Sequence, residues 1–199
     1  MSRPRVVIFS GNIRRPSRSR ALAEALGAEI GRRLPVELKS YDVLDAGPGL
    51  GSALTRSELP LPAARILDEI EGADALIVGT PVYKGAYTGL FKHLIDFITP
   101  EKLAGKPVAL TASGGGARHA LVVEHALRPL FGFFTALTIP TALYASDGDF
   151  GATDDGAGYV VTDVGIRTRS SAAANELADL LSKQSSGMET VLRSARVVQ

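Results

Sequence analysis

The sequence predicts an α/β fold in which a parallel sheet is covered by helices on both faces. Three observations carry this expectation. Strand-like and helix-like segments alternate along the chain, the strand-like segments are continuous apolar runs, and no repeat or linker interrupts the series through 199 residues. Alternation of this kind joins parallel strands through right-handed crossovers, and unbroken apolar runs suit strands buried on both faces. The length corresponds to one domain with a substantial core, with residues 5–145 as the core and 146–199 as a variable tail.

The first strand is Val6-Val7-Ile8-Phe9, rich in β-branched residues and ended by Ser10-Gly11. From Ser19, apolar Leu22, Ala25, Leu26 and Ile30 recur at helical spacing until Leu34-Pro35 stops the helix. Residues 36–41 alternate as a second strand. Residues 42–62 hold Gly47-Pro48-Gly49, Gly51, Pro60 and Pro62, the composition of a long loop, either mobile or at an interface. Helical spacing returns over 63–71, followed by a buried strand over 73–80.

Ala86, Leu90, Phe91, Leu94, Ile95 and Ile98 mark one helix face closed by Thr99-Pro100, and residues 107–112 form a fourth strand. A helix over 117–134 and a fifth strand over 137–144 complete the alternation. Residues 147–166 are rich in Gly and Asp, and 170–181 carry a last helical pattern. Pro129 lacks an N–H and clashes with the carbonyl of His125, so the helix holding both is expected to kink or form a π-bulge near 125–129.

Composition narrows the chemistry. With 22 Lys and Arg against 21 Asp and Glu the net charge is +1, which supplies no global field for nucleic acid or an anionic membrane. The absence of cysteine excludes disulfides, thiolate nucleophiles and thiol-ligated metals, and fits the cytoplasm. The basic start followed by four apolar residues is too short for a signal peptide, and no run approaches a transmembrane span. No His, Asp and Glu spacing suits a metal, and Asp147-Gly148-Asp149 reads as a turn.

Open parallel sheets bind ligands beyond the carboxyl ends of their strands. The loop after the first strand, Ser10-Gly11-Asn12-Ile13-Arg14-Arg15-Pro16-Ser17-Arg18-Ser19, puts hydroxyls, an amide and guanidinium groups before a helix start, where unpaired N–H groups favour an anion. The same residues would serve as N-caps and solvated arginines on a polar loop. Its position at that sheet edge favours phosphate. Walker and Gly-x-Gly-x-x-Gly patterns are absent, against a P-loop or dinucleotide domain.

After the third strand, Pro81 stiffens a turn whose amides and Tyr83 ring suit a flat heteroaromatic, or merely end the strand and pack. After the fourth, Ser113-Gly114-Gly115-Gly116 allow close backbone approach, as would a flexible linker. Three such loops at one edge are improbable by accident. Together they describe a flavin mononucleotide site.

These residues, with Thr80-Pro81-Val82-Tyr83-Lys84 and Tyr87-x-Gly89-x-x-Lys92, resemble the flavodoxin-like NAD(P)H-dependent FMN reductases. Within that family the likeness is to the reductase partners of two-component alkanesulfonate or methanesulfonate monooxygenases, from residue 5 to about 149. The resemblance implies a three-layer sandwich with a five-stranded parallel sheet of order 2-1-3-4-5. It implies that Arg14, Ser17, Arg18 and Ser19 hold the FMN phosphate, that Pro81, Val82, Tyr83 and Lys84 line the isoalloxazine, and that Ser113, Gly114, Gly115 and Gly116 meet its pyrimidine edge. Asn12 stands where the family usually has Ser and is carried as a further phosphate ligand.

Gly85, Tyr87, Arg118 and His119 are assigned to the nicotinamide side or rim. His125 fits the interface position of an interrupted helix in those reductases, or is an ordinary satisfied histidine; His93 reads as surface or interface filler. The implied activity is hydride transfer from NADPH or NADH to FMN, with reduced flavin passed to a monooxygenase and no side chain needed as acid or base. Alternatives are an enzyme that retains FMN and reduces a quinone, azo dye or metal oxyanion, and a flavodoxin-like electron carrier. Arg14, Arg15 and Arg18 leave NADH and NADPH unranked. Leu90, Phe91, Phe131, Phe133 and Phe134 exceed what one helix side needs, which points to a homodimer or a dimer of dimers.

Overall fold

The computed structural model describes residues 3–197, with side chains through residue 184; Met1, Ser2 and residues 198–199 lie outside the described residues. The first apolar run forms β1 (Arg5–Ser10), flanked in parallel by β2 (Glu37–Asp42) on one side and β3 (Ala75–Pro81) on the other. β4 (Pro107–Gly114) extends the sheet beyond β3, and with β5 (Leu137–Thr138) beyond it the order runs β2-β1-β3-β4-β5. β1, β3 and β4 are buried almost throughout because helices cover both of their faces.

The sheet has six strands where five were expected. The fifth position is occupied by two pieces, β5 (Leu137–Thr138) and β6 (Leu143–Ser146), which both pair with β4. Pro140 between them has no N–H to give the ladder. Side chains satisfy the gap: Arg128 donates to the Ile139 and Pro140 carbonyls at 2.9 and 3.2 Å, and Glu176 accepts the Thr141 N–H at 2.9 Å.

On one sheet face α1 (Arg18–Gly31) packs beside α5 (Val164–Val197), burying Leu22, Leu26, Ile30, Leu177 and Leu181 against Val6, Ile8 and Ile77. α5 is thus far longer than the 170–181 pattern. On the other face lie α2 (Leu61–Gly72), α3 (Gly89–Ile95) and a broken helical segment, around a cluster that includes Phe9, Phe91 and Phe131. That segment begins as a short 3₁₀ turn, passes through a π-helical turn (Val123–Leu127), and ends as α4 (Arg128–Phe133). The π turn sits where Pro129 requires a break.

The long connection after β2 is three 3₁₀ turns, with Val43, Ala46, Leu50 and Ala53 buried against the core. α3 starts at Gly89 and not at Ala86, because residues 83–86 close a tight turn. Beyond β6 the tail makes an antiparallel hairpin, β7 (Phe150–Ala152) and β8 (Tyr159–Val161), which the Gly- and Asp-rich composition did not announce. Of the five apolar residues taken as surplus, Phe91, Phe131 and Phe134 are core; Leu90 and Phe133 are exposed. Among the described residues no helix is long and apolar enough to cross a membrane.

Candidate functional site

The loop between β1 and α1 is held from β2. In the β1–β2 register Ser10 lies opposite Asp42, so the carboxylate that ends β2 stands beside the start of the loop. Asp42 is fully buried and accepts from Arg15 Nε and Nη2, each at 2.7 Å, from Arg20 Nη1 at 2.8 Å, and from Asn12 Nδ2 at 3.0 Å. Burial pushes its carboxyl up, but the bonds from Arg15, Asn12 and Arg20 outweigh this and hold it at about 2. Its hydrogen bond to Asp42, then that to Asp45, holds the Arg15 guanidinium above its ordinary range despite some desolvation.

Arg15 is therefore committed to the loop's own architecture, whereas its neighbour Arg14 is exposed and makes no side-chain hydrogen bond or ion pair among the described residues. Asn12 uses both amide hydrogens, on Asp42 and on the Arg14 carbonyl at 3.0 Å. Its side chain thus has no donor left for phosphate; what remains is a buried acceptor, Oδ1, without a partner. Ser17 caps α1, its hydroxyl accepting from Arg20 N at 3.3 Å, and lies 3.0 Å from the Ser19 hydroxyl. Arg18 lies against the Tyr159 ring, with its guanidinium near Asp147 after β6.

The loop after β3 is tied to the first. Thr88 donates its hydroxyl to the Gly11 carbonyl at 2.6 Å, and a Cβ on Gly11 would lie 2.9 Å from Phe91 Cβ, so only glycine allows this approach. Tyr83 and Ala86 exchange backbone hydrogen bonds at 2.9 and 3.2 Å around Lys84 (φ 53°) and Gly85 (φ 85°). Two positive φ values in succession define a type I′ turn, and a lysine in one of them is unusual. The turn leaves Tyr83 43% exposed, with Lys84 exposed beside it. Tyr87 is half-buried and packs its ring against Phe91 at 5.8 Å, at the edge of the core cluster.

The loop after β4 joins through the Val82 N–H, which donates to the Ser113 carbonyl at 2.8 Å. A Cβ on Gly114 would fall 2.7 Å from the Tyr144 hydroxyl, which itself donates to the Gly116 carbonyl at 2.6 Å. Around Gly115 and Gly116 there is open space. Arg118 donates to His119 Nε2 at 3.3 Å on the exposed rim, and His125 is exposed on the π turn. His93 is half-buried, edge-on to Phe97.

Pro81, Val82, Tyr83, Lys84, Ser113 and the glycine run are thus brought to the same sheet edge as Arg14, Ser17 and Ser19. Asp42, Arg20, Thr88 and Tyr144 are the site's supporting residues that sequence reasoning missed; β2 ending beside β1 was the available signal for Asp42. A separate cleft of about 660 Å³, lined by Arg15, Arg20, Tyr41, Arg65 and Glu69, opens on the outer side of β2. No cluster of His, Asp and Glu among the described residues could hold a metal.

A free guanidinium and two hydroxyls at a helix start, an exposed aromatic ring and a glycine edge with room beside it fit a phosphorylated flavin. The model of the NADPH-dependent FMN reductase family matches residues 4–151. The chain belongs to that family. This reductase is 49% identical over 146 residues to an FMN reductase (NADPH) of Pseudomonas aeruginosa, covering 73% of this chain and 78% of that one. It is 46% identical over 181 residues to the NADH-dependent FMN reductase SfnF of Pseudomonas fluorescens, covering 90% and 94%.

Among solved structures the reductase superposes on an oxidoreductase from Corynebacterium diphtheriae with a TM-score of 0.75 at 32% identity, covering 91% and 98%. A WrbA-like flavodoxin from Agrobacterium tumefaciens, at TM-score 0.60 and 18% identity over 92% and 99%, shares the flavodoxin-like fold. FMN and NAD(P)H are accordingly the flavin and the hydride source of this oxidoreductase.

Proposed function

We propose that this reductase gives up its reduced FMN to a separate flavin-dependent monooxygenase of a sulfonate-oxidising system. The observation that supports this most is the similarity to SfnF and to a second NADH-dependent FMN reductase, SfnE of Pseudomonas putida, over 90% of the chain. The flavin, when bound, accepts hydride from the reduced nicotinamide. The protein's part is to bind, orient and shield.

In this reading Arg14, Arg18 and the Ser17 and Ser19 hydroxyls hold the phosphate with the N–H groups that open α1. Asn12 serves differently from the phosphate donor expected of it: its buried Oδ1 is an acceptor suited to a hydroxyl of the flavin's polyol chain. Pro81, Val82, Tyr83 and Lys84 form the shelf for the ring. Ser113 and the glycine run meet its pyrimidine edge, where backbone N–H groups unscreened by a Cβ stabilise negative charge. Gly85, Arg118 and His119 border the nicotinamide side.

A homodimer or homotetramer would cover Leu121, Phe133 (71% exposed) and Leu137 beside the π turn, with His125 at the seam. A cytoplasmic location suits a cysteine-free chain acting on NAD(P)H. Steady-state kinetics with FMN and NADH or NADPH varied together test flavin transfer. Intersecting lines, with reduced FMN leaving as a product, are expected; double-displacement kinetics with FMN retained through gel filtration would contradict it.

A further inference from the structure

Arg18 stands one helical turn before Leu22 on α1, so the two side chains share a face. β8 offers a matching pair. Val161 is buried in the same apolar cluster as Leu22, and Tyr159, two residues earlier, lies on the same side of the strand. The Arg18 guanidinium carbon accordingly lies 4.4 Å from the centroid of the Tyr159 ring, and Phe150 backs that ring edge-on at 6.5 Å.

The turn leading into the hairpin is fixed as well. The Ser146 N–H donates to the Asp149 carboxylate at 2.6 Å, and the Asp149 carbonyl accepts from Thr162 N at 2.9 Å. This turn carries Asp147, whose exposed carboxylate lies 3.6 Å from Arg18 Nη1, a loose ion pair. Arg18 Nε is buried and has no hydrogen-bond partner. A cation stacked on a ring, with one buried donor unmatched and its outer nitrogen on a distant carboxylate, is held in place without being satisfied.

We propose that Tyr159 is a positioning residue for phosphate recognition, holding Arg18 at the flavin's phosphate end, and that Asp147 is the carboxylate this phosphate displaces. The inference rests on the reading of Arg18 as a phosphate ligand given above. It assigns a role in flavin selection to the hairpin, whose second strand lies beyond the segment matched by the family model.

The test is fluorescence titration of the full chain with FMN and with riboflavin, for wild type, Tyr159→Phe, Tyr159→Leu and Asp147→Asn. Loss of the ring face is expected to weaken FMN about fivefold while leaving riboflavin unmoved, and Tyr159→Phe, which keeps the ring, should bind as wild type does. Asp147→Asn should tighten FMN about twofold, since the phosphate no longer competes with a charge.

Equal weakening of both flavins by Tyr159→Leu would reduce Tyr159 to a packing residue and overturn the proposal, as would unchanged FMN affinity in a folded variant. Should Tyr159→Leu not fold, the exposed Asp147→Asn decides alone: no change or weaker FMN binding overturns it. Wild-type protein that binds riboflavin as tightly as FMN would remove the phosphate reading itself. Discrimination by wild type that is lost in Arg14→Ala but kept in Tyr159→Leu would remove only this inference.

Discussion

The two ends of the flavin site are built on opposite plans. At the loop after β1 a buried carboxylate, Asp42, gathers Arg15, Arg20 and Asn12 and fixes the backbone before any ligand arrives. At the loop after β4 a single phenol, Tyr144, holds the Gly116 carbonyl, and around Gly115 and Gly116 the space is open. The lesson is that charge recognition needs rigid, already desolvated support, because a guanidinium free to fold back on its own carboxylates would be lost to phosphate. Recognition of a planar ring needs room, and here that room comes from missing side chains.

The largest effect should come from removing the carboxylate at the rigid end. Asp42→Ala takes a buried acceptor from Arg15, Arg20, Asn12 and the Leu44 N–H and leaves the two arginines to Asp45 and Glu24, and urea denaturation is expected to show a loss of about 3 kcal/mol. FMN binding should weaken more than riboflavin binding, which loses only the Asn12 contact to the polyol chain; equal losses would mean that the two ends are not independent. Next, Gly114→Ala drives a Cβ into the Tyr144 hydroxyl at the open end. It should cost about 2 kcal/mol and weaken FMN and riboflavin alike, read by the same titrations.

Acid sensitivity follows from Asp42. Its folded-state value, about 2, lies below the ordinary 3.8, so its contribution is full above about pH 4 and is lost as pH falls through 2. That contribution is about 2 kcal/mol, and acid titration of Asp42→Asn should lack this part of the stability loss. The smallest expected change is Tyr144→Phe, which removes one hydrogen bond to Gly116 and about 1 kcal/mol, with the loop after β1 undisturbed. Altered FMN-over-riboflavin preference in that variant would blur the contrast between the ends.

Much of this was legible in the chain itself. β1, β3 and β4 announce themselves as unbroken apolar runs, and Pro129 dictates the π turn because its missing N–H is a local fact. The three loops were placed at one edge by strand alternation alone. What escaped was non-local. Arg14 and Arg15 are adjacent and chemically alike, and only the arrival of Asp42 from β2, some 30 residues on, sorts one to the ligand and the other to the scaffold. Asn12 likewise changes from donor to acceptor through that same carboxylate. The split at Pro140 depended on Arg128 and Glu176 reaching its flanks, and the hairpin of β7 and β8 is too short for its alternation to stand out from glycine and aspartate.

The central claim is that a pre-fixed loop reads the phosphate, with Arg14 as its free cation. Calorimetric titration of the flavin-free protein with FMN and riboflavin, repeated on Arg14→Ala, tests it most directly. FMN should bind the wild type at least about tenfold more tightly than riboflavin, with most of that margin gone in Arg14→Ala and riboflavin unaffected. Riboflavin binding as tight as FMN, or an Arg14→Ala variant with its preference intact, would contradict the account.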